Sequence, residues 1–318
     1  MSGMWKSRPT NWAIQLKGVS KSFRHTRAVS GLDLNVPLGG VHGLLGPNGS
    51  GKTTTIRMLL GLLRADAGRM WILDHEVPER LPEVVHRVGA IVETPRLAPG
   101  LSIERNLEIL ALATGVPNAR VTEVLLEVGL GGRVDTPFRA CSLGMKQRVA
   151  IAATLLKRPD ILIFDEPTNG LDPAGIQEIR TTMRALADAG RTVLVSSHLL
   201  GEIEQVANSV SIIGRGHVIA EGDLEALLGG GQAHVVVEVA EVGRANEVLR
   251  QAGYRCEQVA GKLHVRSDGD IHASEVARTL GLADLWPSHL SRQQASLESV
   301  FLRLTEHEHL SATQGRAA

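Results

Sequence analysis

Ten consecutive residues, Gly46 to Thr55, reading GPNGSGKTTT, carry the strongest chemical signal in the chain. Gly46, Gly51, Lys52 and Thr53 satisfy the spacing G-x-x-x-x-G-K-[ST]. In that pattern a glycine-rich loop aims successive backbone N–H groups at phosphate oxygens and runs into a helix N-terminus. Gly46, Gly49 and Gly51 reach conformations that a Cβ penalises, and they leave room for phosphate to approach the main chain. Lys52 brings a point positive charge to the β/γ-phosphates, and Thr53 offers a hydroxyl to Mg²⁺. With Pro47, Asn48, Ser50 and Thr54 these residues form a continuous nucleotide-binding set, and the chemistry is phosphate binding.

The elements that position this loop follow from the apolar pattern. Val41-His42-Gly43-Leu44-Leu45 reads as a short buried strand, and Thr54 to Leu63 as a helix with Ile56, Leu59, Leu60 and Leu63 at helical spacing. Ile161 to Phe164 is an all-apolar strand, covered on both faces and hence central in a parallel sheet. It runs into Asp165-Glu166, and two acids there are costly without charge partners. A Mg²⁺ at Thr53 is such a partner, so Asp165 reads as the metal-side carboxylate and Glu166 as the base polarising a water. A further strand, Thr192 to Val195, ends in Ser196-Ser197-His198. His198 is either a surface histidine or, on the edge carrying Lys52 and Asp165, a hydrogen-bond partner of the γ-phosphate.

Other positions carry two readings each. Val88 to Glu93 is a strand whose terminal carboxylate is either a metal or water-positioning group or a solvated strand end. Ser142 precedes a helix over Lys146 to Leu156, where it caps the N-terminus or binds phosphate. Asp172-Pro173 starts another helix, with Ile176, Ile179, Met183 and Leu186 on its buried side. Phe23 is a core residue or a ring for adenine to stack on. Leu32, Leu34 and Val36 alternate with polar residues as a strand with one wet face.

Composition sets the boundaries. The 318 residues suffice for a large domain and a small one, or two medium domains. Lys+Arg and Asp+Glu both number 34, so no basic excess argues for a nucleic-acid partner. Two cysteines, Cys141 and Cys256, make neither a disulfide framework nor a metal pattern, and imply a reducing, cytosolic setting. Met1 to Trp12 lacks the apolar region of a signal peptide. The strongest apolar stretches fall short of the ~18 residues that cross a bilayer. In a membrane process another chain would do the spanning.

Over Leu16 to Leu228 the ordered set GPNGSGKTT, CSLGMKQR, ILIFDEPTNGLDP and SSH resembles the nucleotide-binding subunit of ATP-binding cassette (ABC) transporters. The resemblance implies an α/β P-loop NTPase fold: a mainly parallel sheet core, an N-terminal antiparallel β subdomain and a helical signature subdomain. It implies that Phe23 stacks adenine, that Lys52 and Thr53 hold phosphate and Mg²⁺, and that Asp165 supports the metal. Glu166 is then the catalytic base and His198 the γ-phosphate sensor. Ser142 and Gly144 belong to the signature that closes on the opposite subunit's nucleotide, and Asn169 to Asp172 form the loop communicating across that dimer.

The chain departs from the family pattern, whose usual signature LSGGQ is here Cys141-Ser142-Leu143-Gly144-Met145. Leu143 replaces a signature glycine, and Glu93, counted among the nucleotide and metal residues, replaces a glutamine. Both changes resemble the branch of bacitracin-type and daunorubicin-type drug-resistance exporters.

Residues 229–231 are a Gly-Gly-Gly linker. Beyond it the pattern predicts strand His234–Val239, helix Arg244–Gln251, strands Arg255–Ala260 and Lys262–Val265, helix Ala273–Leu280 and a last strand around Leu285. That β-α-β-β-α-β order suggests a ferredoxin-like accessory α+β domain. Leu297, Val300, Phe301 and Leu304 mark a terminal amphipathic helix, in a segment that resembles the end of the same exporter ATPases. The expected division is a disordered extension over 1–12, the ATP-binding domain over 13–228, the linker, the accessory domain over 232–306 and a disordered tail over 307–318.

The expectation is a Mg²⁺-dependent ATPase whose two sites are shared by two copies of the chain. It would sit at the cytoplasmic face of the cell membrane and drive a separate multi-span permease, exporting a drug, antibiotic or lipid-like compound. The alternative is a nucleotide-driven clamp on ribosomes or DNA, which a single cassette, the lack of a heptad run and neutral charge all disfavour.

Overall fold

The computed structural model describes residues 11–24, 26–92, 97–228, 233–259, 261–267, 269–293 and 296–301. The expectations for residues 1–10, for Glu93, for the glycine linker and for the tail beyond residue 301 lie outside them. The chain divides into two compact units, one up to Asp223 and one from Leu224.

In the first unit, apolar runs too short for helices form a six-stranded sheet. Its strands are β3 (Gly40–Leu45), β6 (Val88–Ile91), β7 (Ile161–Asp165), β8 (Thr192–Ser197), β9 (Ser209–Gly214) and β10 (His217–Asp223), in the order β10-β9-β3-β8-β7-β6. All neighbours run parallel except the β9/β10 hairpin. Ile161, Leu162, Ile163 and Phe164 are each 0 % exposed, as a strand covered on both faces requires.

A second, antiparallel sheet of order β2-β1-β4-β5 comprises β1 (Trp12–Phe23), β2 (Thr26–Pro37), β4 (Ala67–Ile72) and β5 (His75–Val77). Its inward residues Leu16, Leu32, Leu34 and Met70 join Ile56 and Met58 of the first helix and Ile163 and Leu194 of the parallel sheet in one core.

That helix, α1 (Lys52–Leu59), starts two residues earlier and ends four earlier than periodicity suggested. Gly61 stops it: at φ 69° it takes the left-handed position, with Gly61 N–H bonded to Met58 O and Leu62 N–H to Arg57 O, a Schellman turn. The partly buried Leu63 packs against the core from the loop beyond.

Next come α2 (Leu81–Val84), α3 (Ile103–Ala113), α4 (Ala119–Glu127) and α5 (Leu143–Leu155). The stripe Val121, Val124, Leu125 and Val128 is buried. Helix α6 (Pro173–Asp188) leads into β8, and α7 (Leu200–Glu204) follows it.

The second unit contains α8 (Leu224–Leu227), β11 (His234–Glu238), α9 (Val242–Gln251), β12 (Arg255–Val259), β13 (Lys262–Arg266), α10 (Ala273–Leu282) and β14 (His289–Gln293). Its strands form an antiparallel sheet of order β12-β13-β11-β14, with Val235, Val237, Leu249, Leu263, Val265 and Leu280 in its core. The last strand lies later than Leu285. That leucine is buried because the turn closing α10, with Leu285 N–H bonded to Leu280 O, folds it into the core. The polar sequence of β14, HLSRQ, carries little apolar alternation by which to find it. Residues 297–301 are helical.

Candidate functional site

The phosphate loop leaves β3 and enters α1, so it emerges at the carboxyl edge of the parallel sheet. Glycine is required for close approach here: a Cβ on Gly46 would stand 2.2 Å from Ile213 O, and one on Gly51 2.6 Å from Ala28 O. Gly51 also takes φ 108° as the N-cap of α1, with no side chain capping the helix. Lys52 is only 4 % exposed. Its Nζ donates to Gly46 O at 2.7 Å and Pro47 O at 3.3 Å, and lies 3.3 Å from Glu166 Oε1. The Ser50 hydroxyl is buried without a protein partner. Pro47, Asn48 and Gly49 are exposed, and Thr53 and Thr54 stand half-buried on the first turn of α1.

The acids reach the same edge through strand register. Leu44 of β3 and Asp165 of β7 both align with Ser196 of β8 between them, so three strands end level. Asp165 Oδ1 accepts a hydrogen bond from Ser196 Oγ at 2.5 Å, and the same Oγ accepts from Glu166 N–H at 2.9 Å. Glu166 has φ 50°, a left-handed conformation rarely occupied by residues with a side chain. One of its oxygens faces Lys52 and the other lies 2.7 Å from His198 Nδ1.

Lys52, Asp165, Glu166 and His198 are thus brought together. Thr53 and Asp165 supply hard oxygen donors, a set suited to Mg²⁺. With the buried lysine and the unpartnered Ser50 hydroxyl, the site suits a metal-bound polyphosphate.

Phe23 is the last residue of β1, 46 % exposed, with Lys21 Nζ 5.7 Å from its ring centroid. Its position excludes the core reading. Ser142 and Gly144 sit at the start of α5 and Asp172 at the start of α6, rather than at the strand ends. They line a cleft of about 400 Å³ with Met145, Arg148 and Glu178. Ser142 caps α5 by accepting from Met145 N–H at 3.2 Å, and Asp172 caps α6 by accepting from Gly175 N–H at 3.0 Å. Leu143 is 46 % exposed and lies against Gly170, whose Cβ would stand 3.4 Å from Leu143 Cδ2.

The residue that motif reading left without a role is Ser196. The one signal for it is a serine in an apolar run: a polar side chain inside a sheet covered on both faces must have a partner there.

Residues 29–169 match the ABC transporter family model. The chain is 37 % identical over 317 residues to the daunorubicin/doxorubicin resistance ATP-binding protein of Streptomyces peucetius, covering 95 % of this chain and 94 % of that protein. It is 38 % identical over 291 residues to the bacitracin transport ATP-binding protein of Bacillus licheniformis, covering 91 % and 89 %. Among solved structures, an ATP-binding subunit of an ABC transporter superposes with a TM-score of 0.60 at 30 % identity, over 69 % of this chain and 92 % of that one. Identity of this degree across nearly the whole length of relatives, together with the phosphate loop and acid pair at one sheet edge, means that the chain belongs to the ATP-binding subunits of ABC transporters.

Proposed function

We propose that this subunit hydrolyses ATP to ADP and phosphate with Mg²⁺, energising a separate multi-span permease from the cytoplasmic face of the cell membrane. The cargo class is a drug, antibiotic or lipid-like compound. That assignment is supported by relatives named for daunorubicin/doxorubicin resistance and bacitracin transport, and it favours transport over a clamp on ribosomes or DNA. No helix among the described residues is long and apolar enough to cross a membrane, consistent with a separate spanning partner.

The observation that carries the reading is the array His198–Glu166–Lys52, with contacts of 2.7 and 3.3 Å. Glu166 accepts a proton from the attacking water, and His198 holds the second oxygen of the same carboxylate and reaches the γ-phosphate. Lys52 balances charge on the transferring phosphoryl group. Thr53 and Asp165, with Glu93, would hold Mg²⁺, which when bound neutralises charge on the β/γ-oxygens. Residues 46–54 cradle the phosphates and Phe23 stacks the adenine.

One chain carries a single phosphate loop and a single signature. Two complete sites therefore need a second copy, whose Ser142 and Gly144 close on each nucleotide while the Asn169–Asp172 loop communicates across the dimer.

The test is Glu166→Gln. The variant is expected to keep ATP affinity within about twofold, to lose turnover by at least about a hundredfold, and to accumulate as an ATP-bound dimer in gel filtration. Turnover near that of the parent protein would remove Glu166 from the role.

A further inference from the structure

Ser196 is 0 % exposed at the carboxyl end of β8, and β8 lies between the strand that delivers the phosphate loop and the strand that delivers the acids. A hydroxyl has one proton to donate and lone pairs to accept with. Here the proton goes to Asp165 Oδ1 at 2.5 Å, and a lone pair takes the N–H of Glu166 at 2.9 Å. The two bonds act on different parts of the neighbouring acids. The first orients the carboxylate of Asp165. The second holds the main chain of Glu166, whose φ of 50° a side-chain-bearing residue keeps only where its surroundings impose it. From that backbone the Glu166 side chain spans Lys52 and His198, so a change at its N–H reaches the whole array.

We propose that Ser196 is a positioning residue for ATP hydrolysis: one hydroxyl aligns the metal-side carboxylate and the base together. This rests on the roles given above to Asp165 and Glu166. Ser211 supplies the matched comparison. It is also 0 % exposed in the same sheet, but its hydroxyl bonds His42 Nε2 at 2.9 Å. Losing it removes a buried hydrogen bond without touching either acid.

The experiment compares Ser196→Ala and Ser211→Ala in the full chain. Ser196→Ala should lower kcat at least about tenfold with KM for ATP moved less than about twofold, a loss of alignment rather than of binding. Ser211→Ala should lower the melting temperature about as far as Ser196→Ala does, since each loses one buried hydroxyl, and leave kcat within about twofold of the parent.

A second readout is independent of turnover. In the Glu166→Gln background, Ser196→Ala should raise at least about threefold the Mg²⁺ concentration for half-maximal binding of a fluorescent ATP analogue, because Asp165 loses its orienting donor. An unchanged kcat and Mg²⁺ midpoint in Ser196→Ala, or an equal kcat loss in Ser211→Ala, overturns the proposal. If those results accompany an inactive Glu166→Gln, the base assignment survives and only Ser196 loses its role. An active Glu166→Gln overturns the base assignment, and the proposal falls with it.

Discussion

Glu166 shows how much a single residue depends on its surroundings. Its two oxygens face Lys52 and His198, its N–H is held by Ser196, and its backbone sits where a Cβ is penalised. A carboxylate placed this way has little rotational freedom left. Phe23 is the opposite case, a ring exposed at a strand end with a lysine near its face. Exposed rings contribute little to folding, so Phe23→Ala should leave the unfolding midpoint nearly unchanged. Loss of a stacking surface should weaken ATP binding by about 1 kcal/mol, or roughly fivefold. A titration with a fluorescent nucleotide checks this, and unchanged affinity would take Phe23 out of the site.

Strand β3 delivers the phosphate loop, and its only titratable residue is His42, 2 % exposed. Nδ1 and Nε2 lie 2.8 and 2.9 Å from the hydroxyls of Ser209 and Ser211 on β9. Burial pushes its pKa down to about 4 from an ordinary 6.5. The unfolded chain therefore takes up this proton first as pH falls. The stability contributed by neutral His42 is full above pH 6.5 and is lost as pH falls through about 4. The amount is on the order of 3 kcal/mol. Urea unfolding of the first unit should show this loss between pH 7 and 4.5, and His42→Gln should show a smaller one. Equal slopes in both proteins would contradict it.

At the scale of the molecule, each unit has its own core. Leu263, 0 % exposed, belongs to the cluster of the second unit, while Ile56 and Ile163 belong to a cluster of the first. Truncating Leu263 to alanine should cost about 2–5 kcal/mol. Calorimetry should show the cost as a lowered transition of the second unit, with ATP affinity of the first unit unchanged. A parallel loss of ATP affinity would mean the two units unfold as one.

Local chemistry made much of this protein legible in its sequence. Lys52 and the glycines before it lie within one short stretch of the chain, so their purpose survives without coordinates. The four-residue run ahead of Asp165 is apolar throughout, and only a strand covered on both faces needs that. Where helices end was less legible: the extent of α1 turned on the left-handed Gly61, and β14 lacked an apolar stripe. Residue partnerships were beyond sequence reading. That one hydroxyl of Ser196 serves two acids depends on three strands ending level, and strand register is decided by packing over the whole sheet. The same holds for Phe23, whose side chain is core or surface according to what covers it, a fact that no window of neighbouring residues contains.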